Sequence, residues 1–98
     1  MAASRRAMNA VTNESRPALA RGVRLRTDPL NGEPVLLYPE GFLPLDSTSH
    51  DILIRCDGER TVAAIVEDLS AEYEADPDEL RADVVEYIVQ LRNEMLLT

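Results

Sequence analysis

The sequence predicts a small α+β domain in which a three-stranded antiparallel meander is followed by three helices. Three observations carry that expectation. Residues 23–27 read Val, Arg, Leu, Arg, Thr, the period-two alternation of a half-buried strand. Two turn signals then follow within fifteen or so residues, Asn31-Gly32 and Tyr38-Pro39-Glu40-Gly41. After Leu45 the period changes to that of helices, in three stretches that each open on a capping residue.

Met1 to Ser15 is small, polar and aperiodic, and is read as a disordered N-terminal arm (residues 1–15) ahead of a single domain of residues 16–98. Strand one covers Val23 to Thr27. Pro29 and Asn31-Gly32 reverse the chain, and Pro34 to Tyr38 returns as strand two. The turn Tyr38 to Gly41 leads into a short third strand, Phe42 to Leu45. The outer strands of a meander keep unpaired backbone edges, which the protein itself, a second copy or an added peptide strand can cover.

Asp46 or Ser47 caps a short helix with Ile52, Leu53 and Cys56 on its inner side. Asp57-Gly58 ends it, and Thr61 caps a second helix whose stripe is Val62, Ile65, Val66, Leu69 and Tyr73. The acidic connection Glu72 to Glu79 leads to the third helix. Asp76 caps it, Pro77 takes its first position and Glu79 stands where a capping box closes.

This last helix is expected to run from Asp76 to Leu97, and its apolar surface is wider than a core alone requires. At about 100° per residue, Leu80, Val84, Tyr87, Ile88, Leu91 and Met95 form one stripe. Arg81, Val85, Val89, Arg92 and Leu96 form a second beside it. The second stripe is either covered by neighbouring elements or forms the wall of a groove for an extended partner. Three strands laid as a wing against three helices make a winged-helix-like architecture.

Composition narrows the function. The formal net charge is −8, and residues 61–98 carry two arginines against ten acids, while residues 1–60 carry eight of each. A nucleic-acid binder needs positive charge on the element that meets phosphate, and the last two helices have the opposite sign. Cys56 is the one cysteine and His50 the one histidine, so a single chain assembles no disulfide and no Cys/His metal site. Cys56 also has no flanking lysine or histidine to stabilise a thiolate, which favours a structural use over catalysis. No apolar run reaches the length of a membrane span, and a reducing cytoplasm fits the cysteine usage.

Three ordered segments then carry a resemblance: Arg16-Pro17-Ala18-Leu19-Ala20-Arg21-Gly22-Val23-Arg24, Leu36-Leu37-Tyr38-Pro39-Glu40-Gly41 and Cys56-Asp57-Gly58-Glu59-Arg60-Thr61-Val62. At this spacing, from about Arg16 to Leu97, the sequence resembles the PqqD family of pyrroloquinoline quinone biosynthesis. The resemblance implies a winged-helix peptide chaperone that binds the ribosomal precursor PqqA and presents it to the radical S-adenosylmethionine enzyme PqqE. It implies no catalysis and no cofactor in this chain. Similar domains, the RiPP recognition elements, take a leader as an added strand beside strand three and helix three. Carried onto this sequence, the strand side of the groove is Phe42, Leu43, Pro44 and Leu45, and the helix side is Arg81, Val85, Val89, Arg92 and Leu96. Two other readings stay open, a nucleic-acid-binding winged helix and a homodimer paired through the strand edge.

Overall fold

The computed structural model describes residues 10–98. Strands β1 (Arg24–Thr27), β2 (Pro34–Tyr38) and β3 (Gly41–Pro44) form one sheet in the order β1-β2-β3, and helices α1 (Ser47–Leu53), α2 (Val62–Tyr73) and α3 (Pro77–Asn93) follow. The α+β meander-then-helices order is therefore as the sequence implies. Both strand pairs are antiparallel, with Leu25 opposite Leu36 and Leu36 opposite Leu43. That register puts these three leucines on one face, where they join the core.

The core lies between this face and the helices, with Leu36, Leu53, Ile65, Leu69, Ile88 and Leu91 fully enclosed. Thr61 caps α2 through Ala64 N–H, and Asp46 caps α1 by accepting from Ser49 N–H at 2.8 Å. At α3 the capping box does not form. Asp76 instead accepts from Asp78 N–H at 2.9 Å, an Asx-type turn that serves the same orphan donors. Arg55, at the end of α1, clamps α2 by reaching Asp68 at 3.5 Å and Glu72 at 3.2 Å.

The first and third resemblance segments are built into one support. Pro17 carbonyl accepts from Gly58 N–H at 2.9 Å, and Arg16 reaches the Glu59 carbonyl at 2.6 Å. Gly58 has φ +80, and an added Cβ would stand 3.3 Å from the Ala18 Cβ, so both backbone geometry and space call for glycine. Asp57 accepts from the N–H groups of Glu59 and Arg60, shaping the turn that delivers Thr61 to the start of α2. Cys56 is buried here, its thiol donating to the Ile52 carbonyl at 3.3 Å.

Four boundaries differ from expectation, the first being α1, which stops at Leu53 and leaves Cys56 beyond it. Strand one begins at Arg24, because Val23 N–H turns back to the Ala20 carbonyl, and β3 is shifted by one residue to Gly41–Pro44. Helix α3 stops at Asn93 instead of running to Leu97. Met95 takes φ +63, Leu96 N–H donates to Leu91 carbonyl at 2.9 Å and Met95 N–H to Arg92 carbonyl at 3.0 Å, which together make a Schellman stop. Met95 is therefore 81% exposed and not on the core stripe, while Leu96 and Leu97 turn inward. The tail then pairs with Ala18 to Ala20, with Thr98 N–H on the Ala18 carbonyl at 2.8 Å.

Part of the expected arm, residues 1–9, lies outside the described residues. Within residues 10–15, Asn13 and Ser15 carbonyls accept from Ala63 and Val62 N–H at the start of α2, and Val11 packs on the core. The ordered unit thus begins before residue 16.

Candidate functional site

Which backbone groups of the sheet are free follows from the hydrogen bonds that close its two hairpins. Leu45 N–H donates to the Pro34 carbonyl at 3.0 Å. Bonded and non-bonded pairs alternate along an antiparallel ladder, so Leu36 with Leu43 and Tyr38 with Gly41 are the next bonded pairs. Phe42 and Pro44 consequently turn their main-chain groups away from β2. The free edge of β3 offers one N–H, from Phe42, and two carbonyls, from Phe42 and Pro44. Proline is tolerated at 44 because its missing N–H would have faced outward and not into the ladder.

The same reasoning at the other edge gives a different result. Asp28 N–H donates to the Glu33 carbonyl at 2.8 Å, which turns Leu25 and Thr27 outward on β1. Arg26 Nη1 takes the Leu25 carbonyl at 2.8 Å, so a charged side chain already occupies part of that edge. Among the described residues nothing pairs with the edge of β3.

A groove of about 290 Å³ opens just past the end of β3, lined by Asp46, Thr48, Ser49, Ile52, Asp83, Glu86, Tyr87 and Gln90. Its floor is Tyr87, half-buried and packed against the same core as Leu43. Burial pushes the Tyr87 phenol above its ordinary range, a hydrogen bond with Ser49 opposes that, and the Asp46 charge adds to it. Asp46 itself is held below the usual carboxylate range by its bond to Ser49 N–H. On α3 the groove is lined by Asp83, Glu86, Tyr87 and Gln90.

The residues expected from the sequence divide accordingly. Phe42, Leu43 and Pro44 lie on β3, with Phe42 58% exposed. Leu45 is buried and directed inward. On α3, Arg81 lies in a separate groove of about 450 Å³ against Ala63, Val66, Ser70 and Ala71 of α2, with its Nη1 on Asp78 at 2.9 Å. Val85 packs on the core, while Val89 and Arg92 line a hollow of about 210 Å³ with Val11. Leu96 lies beyond the helix, buried and tied to Ala20. Of the second stripe, Arg81 faces α2, and Val89 and Arg92 face Val11 of the N-terminal segment. Helical periodicity separates stripes but does not say which neighbour each one meets, and Tyr87 beside Gln90 was the available hint.

The titratable side chains of this site are Asp46, Asp83, Glu86 and Tyr87. Cys56 lies outside it, with burial first and Asp57 second pushing its thiol up to about 12. Among the described residues no cluster of His, Cys, Asp and Glu is arranged to hold a metal ion, and no helix is long and apolar enough to cross a membrane.

Known proteins resemble this chain in sequence and in fold. The family model for coenzyme PQQ synthesis protein D (PqqD) matches residues 33–97. The chain is 40% identical over 90 residues to a PqqA binding protein of Xanthomonas oryzae pv. oryzae, covering 92% of this chain and 98% of that protein. It is 41% identical over 88 residues to a PqqA binding protein of Rhodopseudomonas palustris, covering 90% and 86% respectively. Its fold matches the solution structure of the PqqD truncation of Methylobacterium extorquens PqqCD, a functional and stand-alone RiPP recognition element, with a TM-score of 0.78 at 36% identity over 91% of this chain and 95% of that one. PqqD from Xanthomonas campestris matches with a TM-score of 0.53, also at 36% identity, over 87% of this chain and 94% of that one. With a family match across most of its length and relatives that it covers nearly end to end, the chain belongs to the PqqD family.

Proposed function

We propose that this protein is a peptide chaperone of pyrroloquinoline quinone biosynthesis, which holds a PqqA precursor as a fourth strand on β3 and presents it to a PqqE-type radical S-adenosylmethionine enzyme. It acts by binding, in the cytoplasm, and the chemistry belongs to the enzyme. The observation that carries the reading is the asymmetry of the sheet: the β1 edge is partly occupied by Arg26, while the β3 edge is open and leads to a groove. The names of the relatives supply the peptide.

Magnitudes decide what must hold the peptide. Three outward main-chain groups contribute roughly 1 kcal/mol each. Association costs at least about 4 kcal/mol in lost translation and rotation. Hydrogen bonds alone do not bind, so side chains of the precursor must bury apolar surface at about 25 cal/mol per Å² against Phe42, Leu43 and Tyr87. The helix wall of the site is accordingly Tyr87 with Gln90, Glu86 and Asp83. Arg81, Val85, Val89 and Arg92 support the far side of α3.

Titration of ¹⁵N-labelled protein with synthetic PqqA tests this. Amide shifts concentrated in residues 41–46 and 83–90 are expected. Filling the groove with Gln90→Trp should weaken binding, whereas Val89→Trp should leave it unchanged. Saturable shifts confined to the far flank of α3, with Val89→Trp the damaging variant, would move the site there and refute the proposed wall.

A further inference from the structure

The outer face of the sheet is a second surface that meets the peptide edge at Phe42 and otherwise stands apart from it. The register sets two rows across it, Arg24–Leu37–Phe42 and Arg26–Val35–Pro44. Each runs from a cation on β1 to apolar side chains on β2 and β3. Leu37 is 38% exposed and Phe42 58%, an unusual pair to leave open on neighbouring strands. Val35 is only 7% exposed yet stands outside the main core cluster, so this face has a small apolar cluster of its own. No carboxylate occupies any position of the two rows, and neither Arg24 nor Arg26 makes a salt bridge among the described residues. In a chain of net charge −8 this face is apolar and cationic.

We infer that this face docks the modifying enzyme, through an enzyme surface that brings apolar side chains flanked by carboxylates; the inference rests on the presenting function proposed above. Charge complementarity selects such a partner: the face has two cations to offer and a surface of its own sign would be repelled. Position selects it as well. A strand added to β3 alternates its side chains, and every second one emerges on this same outer face. An enzyme seated here therefore touches the chaperone and the presented peptide together, while the main-chain edge stays with the peptide.

The test measures both affinities with the full chain, synthetic PqqA and the purified PqqE-type enzyme. Arg24→Glu combined with Arg26→Glu should leave peptide affinity within about twofold and lower enzyme affinity about tenfold or more, with the loss shrinking at high salt. Because Arg26 also holds the Leu25 carbonyl, Leu37→Asn provides a second variant that keeps both arginines, and it should weaken the enzyme complex in the same way. Retained enzyme affinity in both variants overturns the docking face while leaving presentation intact. Peptide affinity that falls in step with enzyme affinity also overturns it, since the two surfaces would then be one. If the wild-type chaperone forms no complex with the enzyme, with or without peptide, the presenting function fails and the inference fails with it.

Discussion

Phe42 is the residue at which the account of the β3 edge can be tested most sharply, because it supplies the one outward N–H of that strand. The perturbation is Phe42→Pro, compared with Phe42→Ala and not with wild type. Both variants lose the ring, which is 58% exposed, and its contact with a bound peptide. Only proline also deletes the amide donor. Because this N–H points away from β2, the ladder loses no bond, and proline at an edge position already has a precedent two residues on at Pro44. One net main-chain hydrogen bond contributes about 1 kcal/mol, so Phe42→Pro should bind PqqA roughly fivefold more weakly than Phe42→Ala in calorimetry. Circular dichroism should show the two variants equally folded. Equal affinities in two folded variants would refute the assignment of this N–H to the peptide, and with it the register of strand addition.

Gly58→Ala should lower stability by about 1–2 kcal/mol, from the positive φ and the 3.3 Å approach to Ala18, seen as a fall in melting temperature. Met95→Gly should act in the opposite direction, raising stability by about 0.5–1 kcal/mol, since it relieves a left-handed residue whose side chain is 81% exposed; unchanged denaturant midpoints would contradict this. Cys56 should resist a thiol reagent at neutral pH until denaturant is added. Its raised folded-state value makes its contribution complete below 9.0 and lost as pH rises from there towards about 12, so chemical denaturation should show stability falling over that alkaline window and a flatter curve for Cys56→Ala. At the acid end the sign reverses. Asp46 and Asp57, lowered by backbone N–H donors, contribute above 3.8 and cease to do so as pH falls below it, which stability measurements on Asp46→Ala should show as a smaller acid loss than wild type.

Much of this was legible in the sequence, for local reasons. The alternation of residues 23–27, the two turns and the caps at Asp46, Thr61 and Asp76 are each encoded within a few neighbouring residues, and the elements stand where those signals put them. What the sequence hid depends on contacts between distant residues. Helix α3 carries no glycine or proline near Asn93, so nothing local announces that the chain turns at Met95; the stop is enforced by Leu96 and Leu97 reaching the core and by the tail pairing with Ala18 to Ala20. The docking of Asn13 and Ser15 on α2 is likewise invisible in a polar, aperiodic stretch, because it uses backbone carbonyls. The open edge of β3 was legible as the last strand of a meander. On the helix side the two flanks of α3 differ little in apolar content, and only the packing of α1 and α2 shows which residues each of them meets.

Hydrogen exchange at single amides tests the central claim most directly. In the free protein the Leu45 amide, bonded to Pro34, should exchange slowly and the Phe42 amide quickly. On saturation with PqqA the Phe42 amide should become protected while Leu45 changes little. A Phe42 amide that exchanges equally fast with bound peptide would contradict strand addition at β3, whatever the affinity.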